Sequence, residues 1–193
     1  QPRAIRIAIL AMGGEGGGVL ADWIVRVAEH NGYLAQLTSV PGVAQRTGAT
    51  NYYLELFPGN ARPDGREPVL ALTPFPGDID IVIASELMEA GRAIQRGLVT
   101  PDRTTLITST ARVYAMPERL DMGDGRVDGG KILEACRLAA LRLVSLDLNA
   151  IAERSESVLS AAMLGALAAA DVLPFERAAF ETAIERGGVG VAA

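Results

Sequence analysis

The chain has 193 residues, a net charge of −5 and 49% hydrophobic residues. This length fits one domain with a sizeable core. The acidic balance argues against a nucleic-acid groove, and no apolar run reaches the roughly 20 residues that span a bilayer. The chain has one cysteine and one histidine, which excludes an internal disulfide, a Cys/His metal or cluster site, and most catalytic triads. We therefore assign no catalytic residue and no metal ligand, and we expect a cytoplasmic protein.

Strands alternate with helices along the chain. A short apolar run predicts a strand over residues 5–11, and apolar residues at helical spacing predict a helix over residues 17–30 that ends at Asn31-Gly32. Further strands are predicted over residues 34–40, 50–57, 79–84, 104–109 and 143–148, further helices over 86–96, 132–141, 158–170 and 174–186, and loops over 58–68 and 121–130. This order predicts a Rossmann-like α/β fold, a three-layer α/β/α sandwich with a mainly parallel (mixed) sheet.

The first strand leads into a glycine-rich loop. Residues 11–18, Ala-Met-Gly-Gly-Glu-Gly-Gly-Gly, contain five glycines and precede the first helix. Glycine allows positive φ angles and close approach of a ligand, and the free N–H groups of a helix start attract anions. The candidate ligand-binding residues are Gly13, Gly14, Glu15, Gly16 and Gly17. The alternative is a tight turn packed on the sheet without a ligand.

Two nucleotide-binding motifs do not fit this loop. A phosphate-binding P-loop needs a lysine after its last glycine, and the single lysine, Lys131, is far away in the sequence. The dinucleotide pattern Gly-x-Gly-x-x-Gly fails in both registers, because Val19 or Glu15 stands where a glycine is needed. Glu15 also repels phosphate unless it points away or caps the helix. We expect it to be an N-terminal acid that offsets the helix dipole.

A second unusual loop, residues 42–48 (Gly-Val-Ala-Gln-Arg-Thr-Gly), follows the second predicted strand. Ligands of open α/β sheets bind at the carboxyl edge, where we expect both loops. Arg46 offers a planar cationic donor, Gln45 offers an amide, and Gly48 makes the turn into the next strand. The alternative for Arg46 is a salt bridge to a neighbouring acid or a solvated side chain.

Polar residues also end later strands at the same predicted edge. Two pairs, Ser85-Glu86 and Ser109-Thr110, either line the cleft or cap the helices that follow. Trp23 and Cys136 lie on apolar helix faces and are predicted core residues, and His30 has a structural position in a last helical turn.

The two loops together resemble the γ domain of the 2-oxoacid:acceptor (ferredoxin) oxidoreductases, most closely the indolepyruvate oxidoreductase β subunit. The family pattern Gly-Gly-Gln-Gly corresponds to residues 13–16, and a Gly-x-x-Gln-Arg-x-Gly pattern corresponds to residues 42–48. Residues 80–86, 108–110 and 164–167 extend the resemblance over nearly the whole chain. It implies one γ-type domain over residues 1–193, which we expect to be cut from a longer chain.

The resemblance implies a role in a thiamine-diphosphate-dependent complex that decarboxylates a 2-oxoacid oxidatively to acyl-CoA and passes electrons to ferredoxin. Thiamine diphosphate and Fe–S clusters are then expected on partner domains or subunits, and this domain would contribute CoA binding, a subunit interface or both. Glu15 stands where the family has glutamine, which argues against direct phosphate contact at that position. A nucleotide- or flavin-binding oxidoreductase domain and a non-catalytic interaction module remain alternatives. A homodimer also remains open, and neither nucleic acid nor membrane is an expected partner.

Overall fold

A computed structural model describes residues 3–41, 49–61, 66, 68–111 and 128–187. The strands are β1 (Ile5–Met12), β2 (Tyr33–Pro41), β3 (Ala49–Pro58), β4 (Ile81–Ala84), β5 (Thr105–Ser109) and β6 (Arg142–Leu146). The helices are α1 (Gly17–His30), α2 (Leu87–Gln95), α3 (Gly129–Ala139), α4 (Leu148–Arg154), α5 (Leu159–Ala169) and α6 (Arg177–Gly187). A single 3₁₀ turn, Gly59–Ala61, begins the surface loop predicted over residues 58–68.

The strands described form one mixed sheet in the order β2-β3-β1-β4-β5-β6. β1, β4, β5 and β6 are parallel neighbours, whereas β3 is antiparallel to both β1 and β2. β2 therefore points in the same direction as β1, although β3 separates them. As a result β1, β2, β4, β5 and β6 all end at the same edge of the sheet, which we call the carboxyl edge.

Helices cover both faces of this sheet. α1, α4, α5 and α6 pack on one face through an apolar cluster that includes Ile9, Trp23, Ile83 and Leu164. α2 and α3 pack on the other face, where Cys136 is fully buried against strand residues such as Leu106. The predicted three-layer sandwich is confirmed, as are the core positions of Trp23 and Cys136. Burial also raises the pKa of the Cys136 thiol, so the neutral, unreactive form is favoured.

Helix α1 has the bounds that its sequence predicts. Of the apolar residues at helical spacing, Leu20, Trp23, Ile24 and Val27 are buried, whereas Val19 is exposed. Gly32, with φ of +77°, follows the end of the helix in the left-handed conformation expected there. His30 is exposed in the last turn, with its Nδ1 2.7 Å from the carbonyl oxygen of Arg26. This contact agrees with a structural position for His30.

Two predicted strands need correction. The strand predicted over residues 79–84 begins only at Ile81, and the strand predicted over 143–148 ends at Leu146. Residues after Leu146 instead start α4, which the sequence reading missed. The Asp147 carboxylate caps this helix by accepting a hydrogen bond of 2.9 Å from the Ala150 N–H. The cap outweighs the apolar run that favoured a longer strand.

Among the described residues, no helix combines the length and the apolar character needed to cross a membrane.

Candidate functional site at the carboxyl edge

The glycine loop leaves β1 at the carboxyl edge through a tight turn. The Glu15 N–H donates to the Met12 carbonyl at 3.1 Å, and Gly14 has a φ of +85°. Gly16 is the N-cap of α1 with a φ of +75°. Both glycines therefore occupy the left-handed region that side chains disfavour. The turn delivers the first N–H groups of α1, which have no acceptor within the helix, to the same edge.

Two glycines of the loop are required by packing. A Cβ atom on Gly17 would lie 2.6 Å from the Ala11 Cβ and 2.8 Å from Tyr52 Cε2. A Cβ atom on Gly16 would lie 2.9 Å from both Ser160 Cβ and Ser160 Oγ, at the start of α5. Protein atoms thus already occupy the space that a side chain would need at Gly16 and Gly17. At these two positions the structure supports the alternative of a packed turn.

The first two glycines of the loop are different. Gly13 and Gly14 are exposed, and nothing lies within 4 Å of a Cβ atom placed on Gly14. The open part of the loop is therefore its tip. A ligand at this edge can approach the backbone at Gly13 and Gly14.

The Glu15 side chain turns back into the protein. Its Oε2 accepts from the Met12 N–H at 3.1 Å and from the Ser85 hydroxyl at a short distance. The sequence left open that Glu15 either points away from the ligand or caps helix α1. The helix has no side-chain cap, so capping by Glu15 is wrong. The contact brings together two candidate residues that lie 70 positions apart.

The remaining candidate residues serve the framework of the edge. Ser85 is fully buried after β4, and its N–H donates to the Leu10 carbonyl at 3.0 Å. The Ser109 hydroxyl donates to Asn149 Oδ1 at 3.1 Å, which ties β5 to α4, and the Thr110 N–H donates to the Leu146 carbonyl at 2.9 Å. The N-cap of α2 is Glu86, without a side-chain cap hydrogen bond, so of the pair Ser85-Glu86 the position of Glu86 at the helix start is confirmed and capping by Ser85 is wrong.

Gln45, Arg46 and Gly48 lie outside the described residues. The strand residues on either side of their loop lie side by side in the sheet, because Thr50 pairs with both Ala11 and Pro41. The loop therefore starts and ends at the carboxyl edge, next to the end of β1. We expected this position because β2 was predicted to run parallel to β1. It does run in the same direction, but the antiparallel β3 lies between the two strands.

Two carboxylates near this edge are buried, and of these Glu89 was not among the predicted residues. Glu86 and Glu89 are 2% and 1% exposed at the start of α2. Burial raises the pKa of Glu89 above its ordinary value, although the Arg92 guanidinium that pairs with it acts in the opposite direction. An acidic pair directly after a strand was the available signal, since such residues are commonly found in a first helical turn.

A separate apolar groove lies between α5 and α6. Its volume is about 630 Å³, and its walls include small residues of α5 such as Ala161 and Gly165. Phe180 and Ile184 of α6 line the other side. Among the described residues, no cluster of three or more His, Cys, Asp or Glu side chains is arranged to hold a metal ion.

A mixed six-stranded sheet with helices on both faces and a glycine loop at its carboxyl edge defines a Rossmann-like α/β domain. A family model described as pyruvate ferredoxin/flavodoxin oxidoreductase matches residues 6–188. The chain therefore belongs to this family. A search of curated proteins found no significant match.

Solved structures with the same fold include subunits of such enzymes. The pyruvate oxidoreductase subunit PORC of Thermotoga maritima aligns with 96% of this chain and 85% of its own length, at a TM-score of 0.61 and 14% identity. The γ subunit of a keto/oxoacid ferredoxin oxidoreductase from Geobacter sulfurreducens aligns with 94% of this chain and 85% of its own, at 0.58 and 14%. The γ-type fold of the chain is thereby confirmed.

A third structure is that of a longer chain. The 2-oxoglutarate:ferredoxin oxidoreductase of Magnetococcus marinus, with 2-oxoglutarate, coenzyme A and succinyl-CoA bound, aligns with 100% of this chain at a TM-score of 0.61 and 12% identity. The present chain spans only 29% of that chain.

Proposed function

We propose that this chain is the γ-type component, over residues 1–193, of a thiamine-diphosphate-dependent 2-oxoacid:ferredoxin oxidoreductase of the indolepyruvate type. The complex would decarboxylate a 2-oxoacid oxidatively, form an acyl-CoA and reduce ferredoxin. Family membership supports this proposal, since it covers residues 6–188. The chain would act in a complex with subunits or domains that carry the other cofactors.

The residue inventory supports this division of labour. Iron–sulfur clusters are usually held by four cysteine thiolates, and this chain contains one cysteine, which is fully buried. We therefore assign Fe–S clusters to partner subunits, and we propose from the family resemblance that thiamine diphosphate also lies there. Ferredoxin would then dock on those partners.

The carboxyl edge is the proposed place of contact with CoA or with the active site of a partner. The exposed tip at Gly13 and Gly14 is the observation that carries this proposal, because it leaves backbone open beside the start of α1. Gln45 and Arg46 belong to the loop that starts and ends at the same edge, and Arg46 would supply a charged fork for the CoA phosphates. The Magnetococcus marinus enzyme, which was solved with CoA bound, shares the fold.

CoA titration into the tagged chain, purified with the subunits that accompany it, tests this proposal. We expect Arg46→Ala to weaken CoA binding by about tenfold, which corresponds to the loss of one charge-assisted contact worth about 1.5 kcal/mol. Arg154→Ala, at the exposed end of α4, is the matched control and should bind CoA like the wild type. Equal affinity of Arg46→Ala and wild type would contradict the role of Arg46.

A role as interaction module is the second candidate, and two observations favour it. The groove between α5 and α6 is open and mainly apolar, although Arg177, Glu181 and Glu185 also line it. In addition, Val69, Leu72 and Phe75 are 100%, 67% and 73% exposed in one segment, and such exposed apolar groups mark docking surfaces. This candidate would be supported if the chain co-purifies with a partner that contains thiamine diphosphate and iron–sulfur clusters, and if the purified complex does not bind CoA.

A further inference from the structure

The Glu15 carboxylate lies between the ends of β1 and β4. Its Oε2 accepts from the Met12 N–H at 3.1 Å and from the Ser85 hydroxyl. The same Met12 N–H lies 3.2 Å from Ser85 Oγ, so the three groups form a closed triangle. Ser85 is fully buried and is held in place by its N–H bond to Leu10. The side chain of Glu15 is therefore fixed beside the loop.

This triangle uses donors that an anion would need. In an anion-binding loop the backbone N–H groups and nearby hydroxyls point at the ligand. Here the Met12 N–H and the Ser85 hydroxyl already donate to Glu15. The loop thus contains its own anion, which belongs to the protein.

Two further carboxylates follow Ser85 in the chain. Glu86 and Glu89 are buried at the start of α2, and Arg92 pairs with Glu89. Burial is the main reason that the pKa of Glu89 is raised, and the negative charge of Glu15 adds to the rise, so the two carboxylates feel each other. Among the described residues, the hydrogen bonds of Glu15 come from the Met12 amide and the Ser85 hydroxyl. Neither of these donors is a cation.

We infer that Glu15 is a specificity-determining residue that excludes phosphate and similar small anions from the glycine loop. Where the ligand is CoA, this inference rests on the proposed function. The CoA phosphates then lie away from Gly13 and Gly14, and the tip of the loop is left to an uncharged part of the ligand.

Titration with inorganic phosphate tests the inference without CoA. The ¹⁵N-labelled chain is followed through the backbone amide signals of residues 13–18. Glu15→Gln removes the charge but keeps an acceptor for Met12 and Ser85, and Glu15→Ala is a second uncharged variant in case the first does not fold. Glu29→Gln is the matched control, because Glu29 is exposed near the other end of α1, roughly 20 Å from the loop.

We expect phosphate to shift these amides in Glu15→Gln with an affinity at least about fivefold higher than in the wild type, which corresponds to the loss of about 1 kcal/mol of like-charge repulsion in a water-like dielectric. Glu29→Gln should match the wild type. Equal phosphate affinity in wild type and Glu15→Gln, or failure of both uncharged variants to bind phosphate, would overturn the inference. Loss of the CoA role in the earlier titration would not produce either result, so the two proposals fail separately.

Discussion

Replacement of Gly17 by alanine tests whether packing, rather than a ligand, requires glycine at this position. The added Cβ would lie 2.6 Å from the Ala11 Cβ and 2.8 Å from Tyr52 Cε2, and Ala11 is 1% exposed in a central strand. Overpacking of this kind costs about 1–3 kcal/mol. The gain in helix propensity offsets about 0.5–1 kcal/mol of that cost. Because both contacts are shorter than 3.0 Å, we take the overpacking cost as about 2–2.5 kcal/mol, and we expect a net destabilisation of about 1–2 kcal/mol.

The neighbouring residue supplies the control. A Cβ atom on Gly18 would lie 3.3 Å from the Tyr52 hydroxyl, the far end of a partly buried side chain. Gly18→Ala is thus expected to range from neutral to about 1 kcal/mol more stable. Urea unfolding measures the free energies. In a thermal scan Gly17→Ala should lower the Tm by about 2–8 °C, given about 2–4 °C per kcal/mol at this chain length.

A double variant identifies the cause. Ala11→Gly removes the methyl group that meets the new Cβ. The free energy of unfolding of the double variant should therefore be higher, by at least about 0.5 kcal/mol, than the sum of the two single changes predicts. The packing explanation is refuted if Gly17→Ala is as stable as Gly18→Ala, or if the two substitutions at positions 11 and 17 are additive.

Two further predictions concern buried charges. Tyr53→Phe removes a hydrogen bond of 2.6 Å to the buried Glu55 carboxylate and should cost about 1.5–3 kcal/mol in urea unfolding at pH 8. Burial is the main cause that raises the pKa of Tyr53, and the neighbouring Glu55 raises it further. The wild type should therefore lose this extra stability above about pH 10, where the tyrosine ionises in the unfolded state, whereas Tyr53→Phe should show no such loss. Arg92→Met leaves Glu89 without its cation and should cost about 1–3 kcal/mol at pH 7. The cost should decrease between pH 7 and pH 4, because the raised pKa of Glu89 lets the folded state take up a proton, and an equal cost at both pH values would contradict this explanation.

The sequence predicted the elements of the fold because their signals are local. The apolar face of α1 and the left-handed Gly32 after its end are properties of neighbouring residues. The direction of β3 is different, because strand pairing depends on distant residues that a local pattern does not contain. The sequence indicated a mixed sheet, but it did not indicate that β3 would be the antiparallel strand between β2 and β1.

The candidate site was predictable in position but not in its contacts. Glu15 and Ser85 were each selected from their own surroundings, and their hydrogen bond joins residues 70 positions apart. The bond depends on the parallel pairing of β1 with β4, in which Leu10 lies beside Ala84. Only the assembled sheet places the residues after these two strands next to each other.

The glycine loop divides its glycines between two tasks. At Gly16 and Gly17 the space for a Cβ is filled by Ser160, Ala11 and Tyr52, so glycine there allows α1 and α5 to approach the sheet. Gly14 has open space and a positive φ, so glycine there serves the turn that presents the exposed tip. High glycine content is therefore a poor measure of ligand contact in this loop. Of the glycines in the loop, Gly13 and Gly14 are the exposed ones, and we infer that the Glu15 carboxylate beside them determines which charge a ligand at the tip can carry.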